Sequence, residues 1–447
     1  MIEEQSALLE FDDIQGPVLR KRPLSYFGAY FLLRIDNLTD GREMLRRLAP
    51  KVVSAADWQK PGDEAWINVA LTFPGLEALG VPQASLESFS PEFQQGLAAR
   101  AEGLGDVDES APANWEKPFG TQDVHVMLAV VSGEEAALER RLDLARSSQD
   151  DLPGVSIIYQ MNVGMLPTAR THLGYKDSIG DPLIEGNDSS ALPGQGPAIK
   201  AGEFIFGYPD ETGNLPPMPQ PEALGRNGTY LAFRKLHSHV AEFRKYLRAN
   251  ADTPEDEALL QAKMVGRWPS GAPLVLAPER DDPELGADPQ RNNDFGYYDE
   301  DPKGLTCPAG SHIRRNNPRD ARLATATNVN LHRVLRRGFI YGPMLPEGAT
   351  QDDGVDRGIM FAFLGAYLER QFEFVKTQWQ NDGNFVGLDD EKDPISGPND
   401  GTGTFTVPRR PVRRRLHGIP RFMTTKGGEY CFMPSIRALH WLADLDT

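Results

Sequence analysis

The first half of the chain alternates between apolar stretches typical of strands and amphipathic stretches typical of helices. Strand-like runs, rich in aromatic and β-branched residues, lie at 26–35, 66–73, 124–132 and 155–161. Helix-like stretches lie between them at 39–50, 74–80 and 134–147, and Thr39 or Asp40 is the predicted cap of the first. The order β-α-β-(α)-β-α-β predicts a ferredoxin-like α+β unit.

A second series of the same kind follows a stretch rich in Gly, Pro, Asp and Ser at 178–200. Strand-like runs lie at 203–207, 229–233, 337–342 and 358–364, with helical stretches to about 248 and over 366–380. The second half therefore resembles a diverged copy of the first in its order of elements. Long loops are predicted at 207–228, 270–310 and 380–428, and loops of that length in a compact domain usually serve function.

The overall charge argues against two classes of partner. The chain has 447 residues with 47 Lys and Arg against 64 Asp and Glu, which gives a net charge of −17. Because an acidic surface repels phosphate groups, binding to nucleic acid or to an anionic membrane is not expected. No apolar run approaches the roughly 20 residues that a membrane-spanning helix needs.

The N-terminal residues predict a cytoplasmic protein. Residues 1–11 are acidic, whereas a signal peptide begins with basic residues. A rival interpretation takes 20–22 as the basic start and 26–33 as the apolar region, but no small-residue cleavage site follows. Cys307 and Cys431 are too few for the disulfide framework of a small secreted domain.

Several common catalytic motifs are absent from the sequence. It contains no CxxC, HExxH, GxSxG or GxxxxGK[ST], which argues against a zinc ribbon, a zincin, a nucleophile-elbow hydrolase and a P-loop enzyme. His237 and His239 lie two apart in a predicted helix, so they face different directions and make a poor metal pair.

Three segments carry the most distinctive chemistry. They are Gly174–Pro182 (GYKDSIGDP), Cys307–Asp320 (CPAGSHIRRNNPRD) and Leu335–Gly342 (LRRGFIYG). Together and in this order, they resemble the signature turn and the haem-ligand region of the dye-decolourising (DyP-type) haem peroxidases, in their longer subgroup. The resemblance extends over nearly the whole chain, through 11–16, 371–374, 427–430 and 434–435.

The resemblance implies a fold of two ferredoxin-like domains, each an antiparallel sheet with helices packed on it, in agreement with the order of elements. It places an N-terminal domain at 1–200, which supplies the distal aspartate, and a haem-binding domain at 201–447. The implied cofactor is haem b, with His312 as the proximal iron ligand. Arg314, Arg315 and Arg319 are then expected to neutralise the haem propionates.

The resemblance also assigns the distal, peroxide-binding side. Asp177 would move the peroxide proton, and Arg336 would stabilise the negative charge that develops on the leaving oxygen. A turn-forming role for Asp177 and a shift of the arginine role to Arg337 are the alternatives. Ser178 departs from the glycine usual after this aspartate; its hydroxyl could donate to Asp177 and lower that group's pKa.

Three further features are left open by the sequence. The hydrogen-bond partner of the proximal histidine is Glu369, Glu373 or another acceptor, and a solvated helix face is the alternative for Glu369. The arginine-rich run 409–415 is either a rim that attracts anionic dyes or a solvated loop. The acidic run 281–301 is either a solvated loop or a cation site, for example for Mn²⁺.

The expected function is reduction of hydrogen peroxide coupled to one-electron oxidation of bulky aromatic or dye-like donors. The alternative is a haem-binding or haem-trafficking protein with little turnover, which the unusual Ser178 motivates. An acidic surface is compatible with a monomer or a homodimer.

Overall fold

The computed structural model describes residues 8–23, 25–58 and 65–445. Most of the acidic segment on which the cytoplasmic prediction depends, residues 1–7, lies outside this part of the chain. Within the described residues, no helix is both long and apolar enough to span a bilayer.

The strands and helices follow one another along both halves. The strands are β1 (Phe27–Ile35), β2 (Ala65–Leu71), β3 (Val126–Ser132), β4 (Val155–Gly164), β5 (Thr229–Ser238), β6 (Leu335–Arg336), β7 (Phe339–Tyr341), β8 (Gly358–Gly365), β9 (Gly403–Val407), β10 (Arg414–Ile419) and β11 (Met423–Met433). The α-helices are α1 (Gly16–Leu19), α2 (Leu38–Leu48), α3 (Phe73–Ala78), α4 (Gln83–Leu86), α5 (Pro91–Gln95), α6 (Leu97–Arg100), α7 (Glu135–Ser147), α8 (Glu222–Gly225), α9 (Val240–Ala249), α10 (Pro254–Val265), α11 (Pro283–Ala287), α12 (His312–Asn316) and α13 (Ile436–Ala443). Two consecutive π-helical segments span Leu368–Glu373 and Val375–Gln380.

In the described part of the chain, nine strands form one antiparallel sheet in the order β4-β1-β3-β2-β11-β5-β8-β6, with β7 also paired to β8. Strands from the first half therefore occupy one side and strands from the second half the other. The two sides meet through a short pairing of β2 with β11, Leu71 opposite Phe432. The remaining strands, β9 and β10, form a separate hairpin.

Aromatic side chains from both halves share one core. Tyr30 of β1 lies 4.8 Å from Phe233 of β5 and 6.0 Å from Phe339 of β7, measured between ring centroids. All three residues are buried. The α+β class with antiparallel sheets, predicted from the sequence, is confirmed.

The predicted elements of the first half are confirmed, with one local correction. The first long helix, α2, begins at Leu38, and its cap is Asn37 instead of Thr39 or Asp40. The Asn37 side chain accepts a hydrogen bond of 3.1 Å from the backbone N–H of Asp40, which satisfies one of the free donors at the helix start.

The second half differs more from its prediction. Residues 204–206 are buried without belonging to a strand, so the strand expected at 203–207 is wrong. Strand β5 continues to Ser238, which places His237 in a strand and His239 at the cap of α9 and not inside a helix. The predicted loop 380–428 contains β9, β10 and the start of β11.

Candidate active site

A cavity of about 320 Å³ lies beside the C-terminal half of the sheet. Leu236 of β5 and Ile359 and Phe361 of β8 line it from the sheet, and Ile313 and Val375 line it from α12 and the second π-helical segment. Among its polar lining residues are Asp177, His312, Arg319 and Arg336. The structure thus brings the three motifs of the sequence to one apolar cavity.

His312 begins α12 and turns its ring towards this cavity. Ser311, immediately before it, donates its hydroxyl to the Lys263 carbonyl of α10 at 2.6 Å, which fixes the start of the helix. The His312 side chain is 27% exposed, whereas the side chain of its partner Asp393 is fully buried. Within the described residues, its Nε2 atom has no hydrogen-bonding partner, so this nitrogen is free to bind a ligand in the cavity.

The other ring nitrogen of His312 contacts Asp393. Nδ1 lies 2.8 Å from the Asp393 carboxylate, which is fully buried. The second oxygen of that carboxylate accepts the backbone N–H groups of Ile395 and Ser396. Burial raises the pKa of Asp393, but the His312 ring, the Ser396 N–H group and the charge of Arg315 together outweigh burial and hold it well below its usual range.

The partner of the His312 ring is therefore neither of the two candidates Glu369 and Glu373 but a third carboxylate. Glu369 is exposed. Glu373 is engaged elsewhere, since it accepts two hydrogen bonds from Arg100 and a third from the Tyr430 hydroxyl at 2.8 Å. Its charge is balanced inside the protein, and it does not reach His312.

Asp177 lies between two cations, immediately before a bend of the chain at Ser178. Its carboxylate is 3.5 Å from Arg336 on one oxygen and 3.5 Å from Arg22 on the other. Burial raises the pKa of this carboxyl, but Arg336, Arg22, the Ser178 backbone N–H and, more weakly, His312 together hold it below its ordinary value. Asp177 is thus an ionised group that faces the cavity.

Ser178 adopts a backbone conformation that normally favours glycine, with φ of 63°. Its hydroxyl accepts a hydrogen bond of 3.1 Å from Arg22. Within the described residues, this hydroxyl forms no hydrogen bond to Asp177, so the expected donation is not seen; it is the Ser178 backbone N–H that contributes to the lowered pKa of Asp177.

Two neighbouring arginines, the last residue of β6 and the residue after it, have different surroundings. Arg336 lines the cavity and is 40% exposed. Arg337 is buried, donates to the Pro17 carbonyl at 2.7 Å and pairs with Asp181 at 3.2 Å. Only the first of them therefore lies beside Asp177.

The arginines that follow His312 divide into two kinds. Arg314 is buried against Asp301 at 3.0 Å, and Arg315 is buried with its guanidinium on backbone carbonyls, among them that of Trp379 at 2.7 Å. Neither lines the cavity, so the structure corrects their expected place beside the haem propionates. Arg319 does line the cavity.

Sequence reasoning missed two further arginines at the same place, Arg267 and Arg333. Burial lowers the pKa of each to about 10, and the nearby charge of Arg319 adds to the effect in both. Within the described residues, none of these three guanidiniums forms an ion pair with a carboxylate of the chain. Arg267 and Arg319 donate to backbone carbonyls and to the Asn293 side chain, which hold them in place. Three arginines without a directly paired carboxylate favour the binding of an anionic group.

These side chains fit a haem group. A free imidazole nitrogen faces an apolar cavity, as an axial ligand must, and the arginine cluster suits two carboxylates at the edge of the macrocycle. Cys307 is fully buried, and burial raises the pKa of its thiol, which is the state expected of a small core residue and not of a thiolate ligand.

The remaining sequence features lie away from this chemistry. In the arginine run, Arg414 pairs with Asp256 and Arg415 with Asp389, so the end of the run, at the start of β10, is an ion-paired surface. Among the described residues, which include the acidic run 281–301, no three His, Cys, Asp or Glu side chains come together as a metal site.

Known proteins are similar to this chain in both sequence and fold. A family model described as a DyP dimeric alpha+beta barrel domain matches residues 13–167. The dye-decolorizing peroxidase of Exidia glandulosa is 31% identical over 455 residues, which cover 96% of this chain and 86% of that protein. A solved fungal DyP-type peroxidase from Auricularia auricula-judae has a TM-score of 0.84 at 28% identity, over 98% of this chain and 100% of that chain.

A solved dye-decolorizing peroxidase in complex with 2,6-dimethoxyphenol has a TM-score of 0.85 at 28% identity, over 98% of this chain and 100% of that chain. The motifs, the cavity that collects them and these similarities in sequence and fold agree with one another. The chain therefore belongs to the dye-decolourising peroxidase family and is a DyP-type peroxidase.

Proposed function

We propose that the chain binds haem b, reduces hydrogen peroxide and oxidises bulky organic donors such as dyes and phenols by one-electron steps. The observation that carries the proposal is the meeting of a free His312 nitrogen with the Asp177–Arg336 pair in one cavity. The complex of a structural relative with 2,6-dimethoxyphenol supports phenols as one class of donor.

On the proximal side, His312 would hold the iron through Nε2. The Asp393 carboxylate accepts the Nδ1 proton, which fixes the tautomer and the ring orientation. Arg319, with Arg267 and Arg333, would hold the propionates. When bound, haem supplies the redox centre that takes two oxidising equivalents from peroxide and passes them on singly.

On the distal side, the ionised Asp177 carboxylate would accept the proton from one peroxide oxygen and return it to the other. Proton transfer of this kind requires a base within hydrogen-bond reach that is ionised at the working pH. Arg336 places a fixed positive charge beside it, where it would stabilise the negative charge on the departing oxygen.

The experiment that tests the proposal is reconstitution with haem followed by rapid mixing with hydrogen peroxide. A DyP-type peroxidase should show a Soret band that changes when peroxide is added, and it should then bleach an anthraquinone dye. A protein that takes up haem and whose spectrum does not respond to peroxide would instead be a haem-binding or haem-trafficking protein.

Arg336→Leu should slow the peroxide-induced spectral change by about 10²–10³-fold, the range for a lost charge stabiliser. Arg337→Leu is the matched control, because it removes the same charge one residue away. It should leave the peroxide rate near the parent's but lower the free energy of unfolding by on the order of 3 kcal/mol, since it leaves Asp181 buried without its partner. The reverse ranking of peroxide rates would transfer the distal role to Arg337.

Asp393→Ala should weaken haem affinity by about 10–100-fold, as for other lost partners of a ligating histidine. The reason is that His312 would lose the group that fixes its ring. Competition for haem against apomyoglobin measures this affinity. Glu373→Ala provides the comparison, because that carboxylate serves Arg100 and Tyr430; if it weakens haem affinity as much as Asp393→Ala, the effect of Asp393 is not specific to His312.

We also propose that the boundary between the two domains falls near residue 200. Strands β1 to β4 end at Gly164 and β5 starts at Thr229, and no strand of the described chain lies between them. On this division the N-terminal domain, 1–200, supplies Asp177, and the C-terminal domain, 201–447, supplies the haem ligand. A monomer or a homodimer is compatible with the proposed chemistry, and sedimentation equilibrium distinguishes them.

A further inference from the structure

Arg22 is a cation of the distal side that no sequence motif indicates. It lies in the segment before β1, and its side chain is only 16% exposed. One terminal nitrogen donates to the Gly338 carbonyl at 3.1 Å, and the other donates to the Ser178 hydroxyl at 3.1 Å and lies 3.5 Å from Asp177. The Arg22 guanidinium thus connects the segment before β1 with residues 177–178 and with Gly338, which lies between β6 and β7.

The guanidinium is held in place by aromatic rings. It lies 4.7 Å from the ring centroid of Tyr26 and 5.8 Å from that of Phe339. Tyr26 is itself fixed, because its hydroxyl accepts the backbone N–H of Ile340 at 3.1 Å. Arg22 is therefore a largely immobilised cation, unlike the flexible partners of an exposed ion pair.

Asp177 is consequently restrained on both of its oxygens. Arg336 approaches one oxygen from β6, and Arg22 approaches the other from the N-terminal segment. The charged and titratable groups around the carboxylate are these two arginines, His312 across the cavity and Tyr26 behind Arg22. If Arg22 were absent, one carboxylate oxygen would lose its cation, and only Arg336 would restrain the orientation of the carboxylate by charge, beside the Ser178 backbone N–H.

Ser178 provides Arg22 with a second contact beside Asp177, through its hydroxyl. At a φ of 63° a serine is less favourable than glycine, so the substitution needs a compensating interaction. The hydrogen bond from Arg22 to the serine hydroxyl supplies one, and the Ser178 backbone N–H still helps to lower the pKa of Asp177. A glycine here would keep the turn but would give Arg22 no hydroxyl to bind.

We propose that Arg22 is a positioning residue for the distal aspartate, and that Ser178 and Arg22 act together to hold the Asp177 carboxylate in its proton-accepting orientation. The inference rests on the proposed role of Asp177. On this proposal Ser178 helps to position the Asp177 carboxylate and is more than a substitution that the backbone tolerates.

The test uses the haem-loaded protein and cyanide as the probe, because hydrogen cyanide must also give up its proton when it binds on the distal side. The rate of cyanide association is followed at the Soret band as a function of pH for the parent, Arg22→Met, Arg22→Lys, Ser178→Gly and the Arg22→Met/Ser178→Gly pair. Arg20→Met is the control, since Arg20 lies two residues earlier and pairs with Asp188 at the surface. Thermal unfolding of each variant establishes that it is folded.

Arg22→Met should move the acid limb of the cyanide profile up by at least about one pH unit, because an opposite charge within 4–6 Å normally lowers a carboxyl pKa by 1–3 units. Arg22→Lys keeps the charge without the two-pronged contact and should show less than half of that shift. Ser178→Gly should shift the limb in the same direction, and the double variant should move it no further than Arg22→Met alone. Arg20→Met should leave the profile unchanged.

Coincident acid limbs for the parent and a folded Arg22→Met would overturn the inference. If Arg22→Met does not fold, unshifted limbs in both Arg22→Lys and Ser178→Gly would overturn it equally. Asp177→Asn separates this result from failure of the proposed function. If that variant keeps the parental acid limb, Asp177 is not the proton acceptor; if it loses the limb while Arg22→Met does not move it, only the role of Arg22 is wrong.

Discussion

Asp177→Asn should slow the reaction with hydrogen peroxide by about 10²–10⁴-fold, the usual contribution of a positioned general base. The amide has nearly the shape of the carboxylate but cannot accept the peroxide proton, so the loss reports proton transfer and not a change of packing. Stopped-flow measurement of the Soret change gives the rate. Asp188→Asn is the matched control, because its carboxylate pairs with Arg20 outside the cavity.

The pH dependence of the parent follows from the direction of the pKa shift. Asp177 has a folded-state pKa below its ordinary value of 3.8, because the two arginines outweigh the effect of burial. The ionised, reactive form therefore persists through weakly acidic pH, and the peroxide rate should fall only as the pH drops through that lowered pKa. The stability that the Asp177 pairs contribute is likewise present above the unfolded-state pKa and lost over the same acidic range. A parental rate that already halves near pH 5 would contradict this.

His312→Ala should lose tight haem binding, with a reduction in affinity greater than the roughly 10–100-fold expected for loss of an outer partner alone. Only the arginine cluster and the apolar lining would remain to hold the macrocycle. The ratio of Soret to protein absorbance after purification measures the loss, and added imidazole should restore part of it. His417→Ala, at an exposed position on β10, should bind haem as the parent does.

Removing the ring also leaves the buried Asp393 carboxylate without its main partner, which costs stability as well as affinity. His312→Gln, which can still donate to Asp393, separates the two effects because it should recover stability and not haem. A His312→Ala protein with full haem and an unchanged ferric spectrum would show that another residue ligates the iron.

Local patterns predicted the first half of the fold well. Strands such as β1 and β3 carry continuous apolar, β-branched or aromatic residues that also pack in the structure, so local preference and tertiary burial agree. The strand prediction at 203–207 was wrong because apolar residues such as 204–206 can be buried without pairing in a sheet. A short apolar run indicates that its residues are buried. It does not indicate whether they are buried in a sheet or against other parts of the chain.

The site could be predicted only where a motif carries its residues within a few positions. His312, Asp177 and Arg336 were found in this way, and the structure brings them to one cavity. Asp393 was not, since it lies 81 residues from His312 in a loop that offers several carboxylates, and nothing local distinguishes among them. Arg22 lies still further away in sequence, 155 positions before Asp177 (177 − 22), in a run that resembles an ordinary basic segment.

The place of β11 in the sheet makes one wall of the cavity depend on a late, long-range strand pairing. This strand, at Met423–Met433, lies in the middle of the sheet between β2 and β5, although it follows the other strands of the described chain in sequence. Met423 and Thr425 from it line the cavity. Because pairings between residues distant in sequence carry a large loop-closure cost, this wall should be completed only after both halves of the sheet have begun to form. Truncations that remove β11 should therefore yield chains that cannot retain haem, however well the first half folds.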